Sequence, residues 1–295
     1  MSDNGLVGPL VRSARPSLWP RNLLVFAAPG AAGVLSSGAG WRDSSIALVA
    51  FVLASSCTYM FNDVRDRERD RQHEEKRDRP VASGALGVGP ALFVAALLLA
   101  GAIGLPIATG HDSLTLVIAS YLTINAAYSL ALKHVVILEL FSVSSGYVLR
   151  ALAGAMAAGV PASPWFLIVI SMVSLHVVAS KRAAELSHSG EGHSRPVLIE
   201  YTKELLDLIR SSTLSVALIG YLLWTFTGDS RVASEAAALL SAIPFALCLF
   251  RYSQVAAAGS GEQPDKILRQ DGMLQSYVVS WVVVFVLGVY VFTGG

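Results

Sequence analysis

Between residues 62 and 70 the chain reads Asn62-Asp63-Val64-Arg65-Asp66-Arg67-Glu68-Arg69-Asp70. On a continuous helix Asn62, Asp66 and Asp70 fall four apart and share one face, with Asp63 beside them. Carboxylates stacked this closely repel one another unless a cation lies between them. Mg2+ prefers hard oxygen ligands and usually takes one or two carboxylates plus substrate phosphates. Asn62, Asp66 and Asp70 are therefore candidate metal ligands. A basic run follows, with His73, Lys76, Arg77 and Arg79 before Pro80. Acid then base suits a metal-bound diphosphate: carboxylates hold the metal, and Lys and Arg take the remaining phosphate oxygens. Residues 61–80 hold seven acidic and seven basic side chains. A solvated loop of paired charges would have the same balance, but the regular acidic spacing at the end of an apolar run argues for a platform.

A second polar stretch reads Ser180-Lys181-Arg182-Ala183-Ala184-Glu185-Leu186. On a helix Lys181 and Arg182 each share a face with Glu185. Alone, it reads equally as a basic anchor with a surface ion pair. Beside a diphosphate platform it reads as a second wall of the site. Three further features are weaker. Arg15-Pro16-Ser17-Leu18-Trp19-Pro20-Arg21-Asn22 is either an interfacial anchor or a substrate contact. Tyr128 and Lys133 precede Glu139, which lies a turn or two inside an apolar run, where an ionisable group is costly and points to function. Arg150 lies deeper and requires an acidic partner or a phosphate.

The elements that carry these residues are apolar. The 295 residues are 54% hydrophobic and 15% charged, with a mean hydropathy of +0.57. Soluble domains carry roughly 25% charged residues, so much of this surface faces a lipid bilayer. The net charge of +1 gives no field that would favour nucleic acid. A bilayer-spanning helix needs about 20 apolar residues. Candidates run near 22–40, 44–62, 88–109, 113–132, 135–157, 163–180, 212–228, 233–250 and 274–293, nine in all, the first rich in Gly and Ser. The runs are continuous rather than alternating, which favours helices over barrel strands. The expectation is an all-α membrane protein, one integral domain over 1–295.

With the N-terminus inside, nearly every Lys and Arg falls on the cytoplasmic side. Only Arg42 and Arg231 fall outside, and Arg150 falls within a span. This satisfies the positive-inside rule for a multi-pass protein of the plasma (inner) membrane. The outer loops are short (Trp41–Asp43, Gly110–Asp112, Gly159–Ala162 and Gly228–Arg231). The long polar ones, 63–87, 181–211 and 251–273, are expected to be cytoplasmic and to carry the chemistry. Ala256–Pro264 reads as a flexible turn. Cys57 and Cys248 lie in apolar stretches and read as small buried hydrophobes. No cleavable signal peptide is expected. A homo-oligomer is compatible with all of this.

The motif Asn62-Asp63-x-x-Asp66-x-x-x-Asp70 at the end of a second span, among nine, resembles the UbiA-type intramembrane prenyltransferase superfamily. Its decaprenyl-phosphate phosphoribosyltransferase branch is the nearer likeness. The text that carries it is Asn62–Gly84, Tyr128–Gly154, Lys181–Leu186 and the Arg-Pro-x-x-Trp-x-Arg-Asn start. The resemblance implies a UbiA-like bundle with cytoplasmic active-site loops. It implies transfer of 5-phosphoribose from phosphoribosyl pyrophosphate (PRPP) to a polyprenyl phosphate, releasing pyrophosphate, for arabinan of the cell wall. It also implies Mg2+ and pyrophosphate on Asn62, Asp66 and Asp70, and phosphate contacts from Lys76, Arg77, Lys181 and Arg182. Most prenyltransferases of the superfamily have a second Asp-rich motif where this chain has Lys181-Arg182-Ala183-Ala184-Glu185. A site for the ribose 5-phosphate needs that positive charge, and a second metal would need carboxylates.

The chain departs from the family pattern at Glu139, usually Asp, at Ala183, often Tyr, and at Glu74, often Pro. Glu139 and Glu185 are expected to orient ribose hydroxyls or support developing positive charge. The anionic lipid phosphate needs no general base. The rival enzyme reading is a UbiA-type prenyltransferase that moves an isoprenyl group to an aromatic or glycerol acceptor. A transporter would place paired charges near the midplane, often in repeats, and neither is evident here.

Overall fold

The computed structural model describes residues 5–74, 76–187, 196–227, 235–258, 261 and 263–291. Among them the secondary structure is helical: α1 (Val7–Ala14), α2 (Ala27–Ala31), α3 (Gly38–Arg65), α4 (Arg67–Arg71), α5 (Val88–Ala108), α6 (Asp112–Leu130), α7 (Leu138–Ala157), α8 (Pro164–Ser187), α9 (Lys203–Phe226), α10 (Glu235–Ala257), α11 (Pro264–Gln270) and α12 (Gly272–Tyr290). Eight of the helices are long and apolar enough to cross a bilayer: α3, α5, α6, α7, α8, α9, α10 and α12.

The expected first span, 22–40, is not one of them. Pro16–Phe26 forms a 3-10 run containing Pro20, followed by the five-residue α2 and a 3-10 turn over Val34–Ser36. Pro16, Pro20 and Pro29 each remove a backbone donor, and Gly33 takes a left-handed φ of 70°. The segment still runs beside α3 from end to end. Arg15 pairs with Asp63 near the C-terminus of α3, while the Val34 carbonyl abuts Gly40 in its first turn. Irregular backbone at membrane depth is tolerated where protein buries it, and Asn22, Val25 and Ala28 are all buried.

Other boundaries move for local reasons. The expected outer loop Trp41–Asp43 is helical, because Ser37 accepts from the Gly40 N–H and starts α3 early. The polar stretch 203–211 belongs to α9, because Thr202 accepts from the Leu205 N–H and opens that helix at Lys203. The loop Gly228–Arg231, Arg195 and part of the turn at 256–264 lie outside the described residues.

Lipid offers no hydrophobic drive between spans, so their association relies on close packing of small residues. Ala47, Ala50 and Ala54 of α3, and Ala151, Ala153 and Ala155 of α7, are fully buried. Away from the charged end, Tyr221 stacks on Phe245 at 4.1 Å between centroids, and Trp281 donates to the Tyr221 hydroxyl at 2.9 Å. Gly154 of α7 is where the broken segment comes closest, for an added Cβ would stand 1.6 Å from the Val25 carbonyl oxygen. Backbone cannot yield there as a side chain would. Gly154→Ala is expected to cost about 3 kcal/mol or more, read as a lowered unfolding temperature in detergent. Gly104→Ala meets nothing within 4 Å and is expected to leave stability unchanged or slightly raised.

Candidate active site

The Asn62–Asp70 stripe survives a break in the helix. α3 ends at Arg65, and Asp66 sits between it and α4. The Asp66 N–H still donates to the Asn62 carbonyl, and the Asp70 N–H to the Asp66 carbonyl, at 2.9 and 2.8 Å. The i to i+4 register is kept, so Asn62, Asp66 and Asp70 line one cleft of about 220 Å³. Arg15, Lys76, Arg79, Tyr128 and Lys133 line the same cleft.

The acidic residues of the cleft differ in how tightly they are held. Asp63 is buried, accepting from Arg15 Nη2 at 2.5 Å and from Arg79 Nη1 at 3.3 Å. Arg79 Nη1 also reaches Asp70 Oδ2 at 2.7 Å. Arg79 thus ties the basic run back onto the acidic one. Asp66 is looser: its side chain is 34% exposed, and Lys133 Nζ stands 3.9 Å away. Asn62 accepts from the Ser129 hydroxyl at 2.9 Å, and that hydroxyl accepts from Arg65 at 2.7 Å. Among the described residues no three His, Cys, Asp or Glu side chains form a closed metal cage. The donors that do converge, Asn62, Asp66 and Asp70, are hard oxygens, and two are carboxylates. That set fits Mg2+ completing its shell with water and substrate phosphate.

The second polar stretch, on α8, forms an ion-pair network whose Glu139–Arg182 pair is buried. Arg182 Nε and Nη2 donate to the two Glu139 carboxylate oxygens at 2.7 and 2.9 Å. Arg182 Nη1 donates to Glu185 at 2.6 Å. The Glu139 side chain is 0% exposed and that of Arg182 is 3% exposed. Lys181 lies 3.8 Å from Glu185 and is more open. Tyr128 links this network to the cleft, since it lines the cleft and lies within electrostatic reach of Arg182.

A further clamp joins the N-terminal and C-terminal regions. Arg21 forms a forked pair with Asp265 of α11, and Arg269 donates to the Ser17 carbonyl at 2.8 Å. Burial alone would raise the Asp265 carboxyl. The hydrogen bond and charge of Arg21, with Arg269 and Lys181, outweigh it and hold the group below the usual carboxylate range. A depressed carboxylate lends stability above its ordinary range and loses it as pH falls through the lowered value, so this clamp opens only in acid. Arg150 is buried among neutral acceptors. Its Nε donates to Asn22 Oδ1 at 2.7 Å and its Nη1 to the Gly146 carbonyl at 2.6 Å. Its guanidinium also lies 5.0 Å from the Tyr121 ring centroid.

These placements change several sequence expectations. Asp63, Glu139, Arg150 and Arg182 were expected to touch substrate, but each is buried in contacts with other side chains. His73 and Arg77, on the turns after α4, and Lys181, Arg182 and Glu185 of α8 are not among the residues that line the cleft. Arg21 turns to Asp265 instead. Tyr59, Arg69, Ser129 and His134 line the cleft without having been singled out. For Tyr59 the signal was present: it precedes Asn62 by three and Asp66 by seven, on one helical face.

Tyr201 carried no such signal. Its hydroxyl donates to Glu139 Oε1 at 3.3 Å and accepts from the Ile137 N–H at 2.9 Å. Burial pushes its phenol up to about 12, and neighbouring Glu139 adds to that, so it stays a donor at neutral pH. Ile137 adopts φ 68°, a strained conformation for a β-branched residue, two residues before Glu139. Tyr201→Phe leaves the Ile137 N–H unpaired. A loss of about 1–3 kcal/mol is expected, measured as a lowered unfolding temperature, together with reduced turnover.

Residues 23–278 match the UbiA prenyltransferase family. A decaprenyl-phosphate phosphoribosyltransferase of Corynebacterium glutamicum is 37% identical over 96% of this chain and 87% of its own length. The enzyme of that name from Mycobacterium tuberculosis is 38% identical over 94% of this chain and 93% of its own length. Among solved structures, a UbiA homologue from Archaeoglobus fulgidus bound to GPP and Mg2+ superposes with a TM-score of 0.70. It is 14% identical and covers 95% of this chain and 98% of its own, a likeness of fold. By family match, relatives and apolar helices together, this chain is an integral membrane protein that belongs to the UbiA prenyltransferase family.

Proposed function

We propose that the chain is a Mg2+-dependent transferase that moves 5-phosphoribose from PRPP to a polyprenyl phosphate such as decaprenyl phosphate, releasing pyrophosphate. The observations that support this are a carboxylate stripe in the cleft and a basic cluster on α8. Asn62, Asp66 and Asp70 line the cleft, while α8 presents Lys181 and Arg182 against Glu185. The name carried by the relatives supports the same reading.

In this reading Asn62, Asp66 and Asp70 would hold the metal, which when bound neutralises the pyrophosphate and makes it a better leaving group. Lys76, Lys133, Arg15 and Arg79 line the same cleft and neutralise the remaining phosphate oxygens. Lys181 takes the 5-phosphate. Glu185, oriented by Arg182, faces the ribose hydroxyls. Glu139 positions Arg182 and does not touch substrate. An anionic oxygen of the lipid phosphate attacks the anomeric carbon as its bond to pyrophosphate breaks, and no protein base is required. The site faces the cytoplasm across the plasma membrane, the side of water-soluble PRPP, with the tail in the bilayer and the whole chain acting as one domain. The lipid-linked phosphoribose then supplies arabinan assembly.

The test is turnover of detergent-purified protein with Mg2+ and polyprenyl phosphate. Labelled PRPP is compared in parallel with labelled isoprenyl diphosphate and an aromatic acceptor. Label should enter lipid from PRPP. Incorporation only from the isoprenyl donor would overturn the reading in favour of prenyl transfer.

A further inference from the structure

Another cavity, of about 520 Å³, lies between the end of α8, the start of α9 and the end of α10. Ser180, Ala183, Ala184 and Ser187 line it. At 100° per residue they occupy the face of α8 turned away from Lys181, Arg182 and Glu185. The cavity shares no lining residue with the Asp-rich cleft and is separate from it.

Among the described residues its polar lining is unbalanced. Lys203 and Arg210 of α9 bring two cations against one carboxylate, Asp207, which takes Arg210 Nη1 at 3.0 Å. Among the described residues, two buried donors in the wall have no acceptor: Ser180 Oγ and Arg210 Nε. Ser180 is 1% exposed, and buried polar groups are nearly always satisfied. The first turn of α9 adds the positive end of a 24-residue helix to the same space. Apart from Ser187, the rest of the described lining is apolar, including Ala183, Leu206 and Ala256.

We propose that this cavity binds a phosphate group, with Lys203 and Arg210 neutralising it and the Ser180 hydroxyl donating to it. Either an anionic phospholipid headgroup or free phosphate has this chemistry, and the apolar lining accepts the uncharged part of the former. An occupant would brace α8 against α9, and so steady the helix that carries Arg182 and Glu185.

Thermal unfolding tests this without substrate or turnover. One arm compares inorganic phosphate with chloride at equal ionic strength in an uncharged detergent. The other compares nanodiscs of phosphatidylglycerol with nanodiscs of phosphatidylcholine. The variants are the double Ser180→Ala/Lys203→Gln and, as a control for the Asp-rich cleft, Asp66→Asn/Lys76→Gln. Wild type and the cleft control should gain several degrees in at least one arm, and the Ser180/Lys203 variant should lose at least half of that gain. Its unfolding temperature without ligand should stay level or rise, because Ser180→Ala removes a buried hydroxyl that has no partner. A gain confined to the phosphate arm assigns free phosphate, and one in the nanodisc arm assigns the headgroup. No gain in either arm, or a gain that the Ser180/Lys203 variant keeps in full, overturns the site.

Discussion

Asp66→Ala is expected to reduce turnover on the order of 10³-fold or more while leaving a folded protein. The two halves of that result come from one geometric fact. Asp66 sits at the break between α3 and α4 with a third of its side chain exposed and one distant lysine for company. Removing it strands no buried charge, so the unfolding temperature should scarcely move, as for most surface substitutions. Its carboxylate is also the least committed of the three oxygen donors. Asp70 already serves Arg79, and Asn62 already serves Ser129. In the proposed function, metal–diphosphate binding would therefore lean most on Asp66. Asp70→Asn should behave differently, losing stability as well as turnover, because Asp70 is 4% exposed and its partner Arg79 also braces Asp63. Turnover across a Mg2+ titration, with unfolding temperatures for both variants, separates the cases. Full activity in Asp66→Ala would remove the metal from this stripe.

The stripe was legible in the sequence because its logic is local. Residues four apart meet on one helix face whatever the rest of the fold does, and even the break at Asp66 preserved the register. The second polar stretch was legible as a helix face but not as a buried network. Glu139 lies 43 positions from Arg182, and nothing local pairs them. The Arg21–Asp265 clamp, across 244 positions, was out of reach for the same reason. The broken first segment was misread through a readable signal: its apolar count suited a span, but Pro16, Pro20, Pro29 and Gly33 forbid a regular one. The start of α9 was missed for the opposite cause. Lys203, Glu204, Asp207 and Arg210 make a polar first turn or two that reads as loop until Thr202 caps it.

The sealed pair sets up the second large effect, in which stability and function part company. Arg182→Met leaves Glu139 buried with only the Tyr201 hydroxyl as donor, and Glu139→Leu leaves Arg182 buried without its forked carboxylate partner. Each single change should cost about 3–5 kcal/mol, whereas an apolar replacement of both partners is often neutral or stabilising. The double variant Glu139→Leu/Arg182→Met should therefore recover most of the unfolding temperature lost by either single one, a strong coupling in a double-mutant cycle. Activity should not recover with it. Arg182 Nη1 holds Glu185 at 2.6 Å, and without that bond Glu185 is left to the more open Lys181 at 3.8 Å. Misplacing a group by about 1 Å costs about 10²-fold in rate, so kcat/KM for the donor should stay roughly that far below wild type. Wild-type kinetics in the stable double variant would make the pair a fold element alone. Single variants with wild-type unfolding temperatures would mean that water already reaches Glu139. The expected split, stability restored and catalysis not, follows only if the family's acidic position in α7 has been turned here from substrate toward the arginine that aims Glu185.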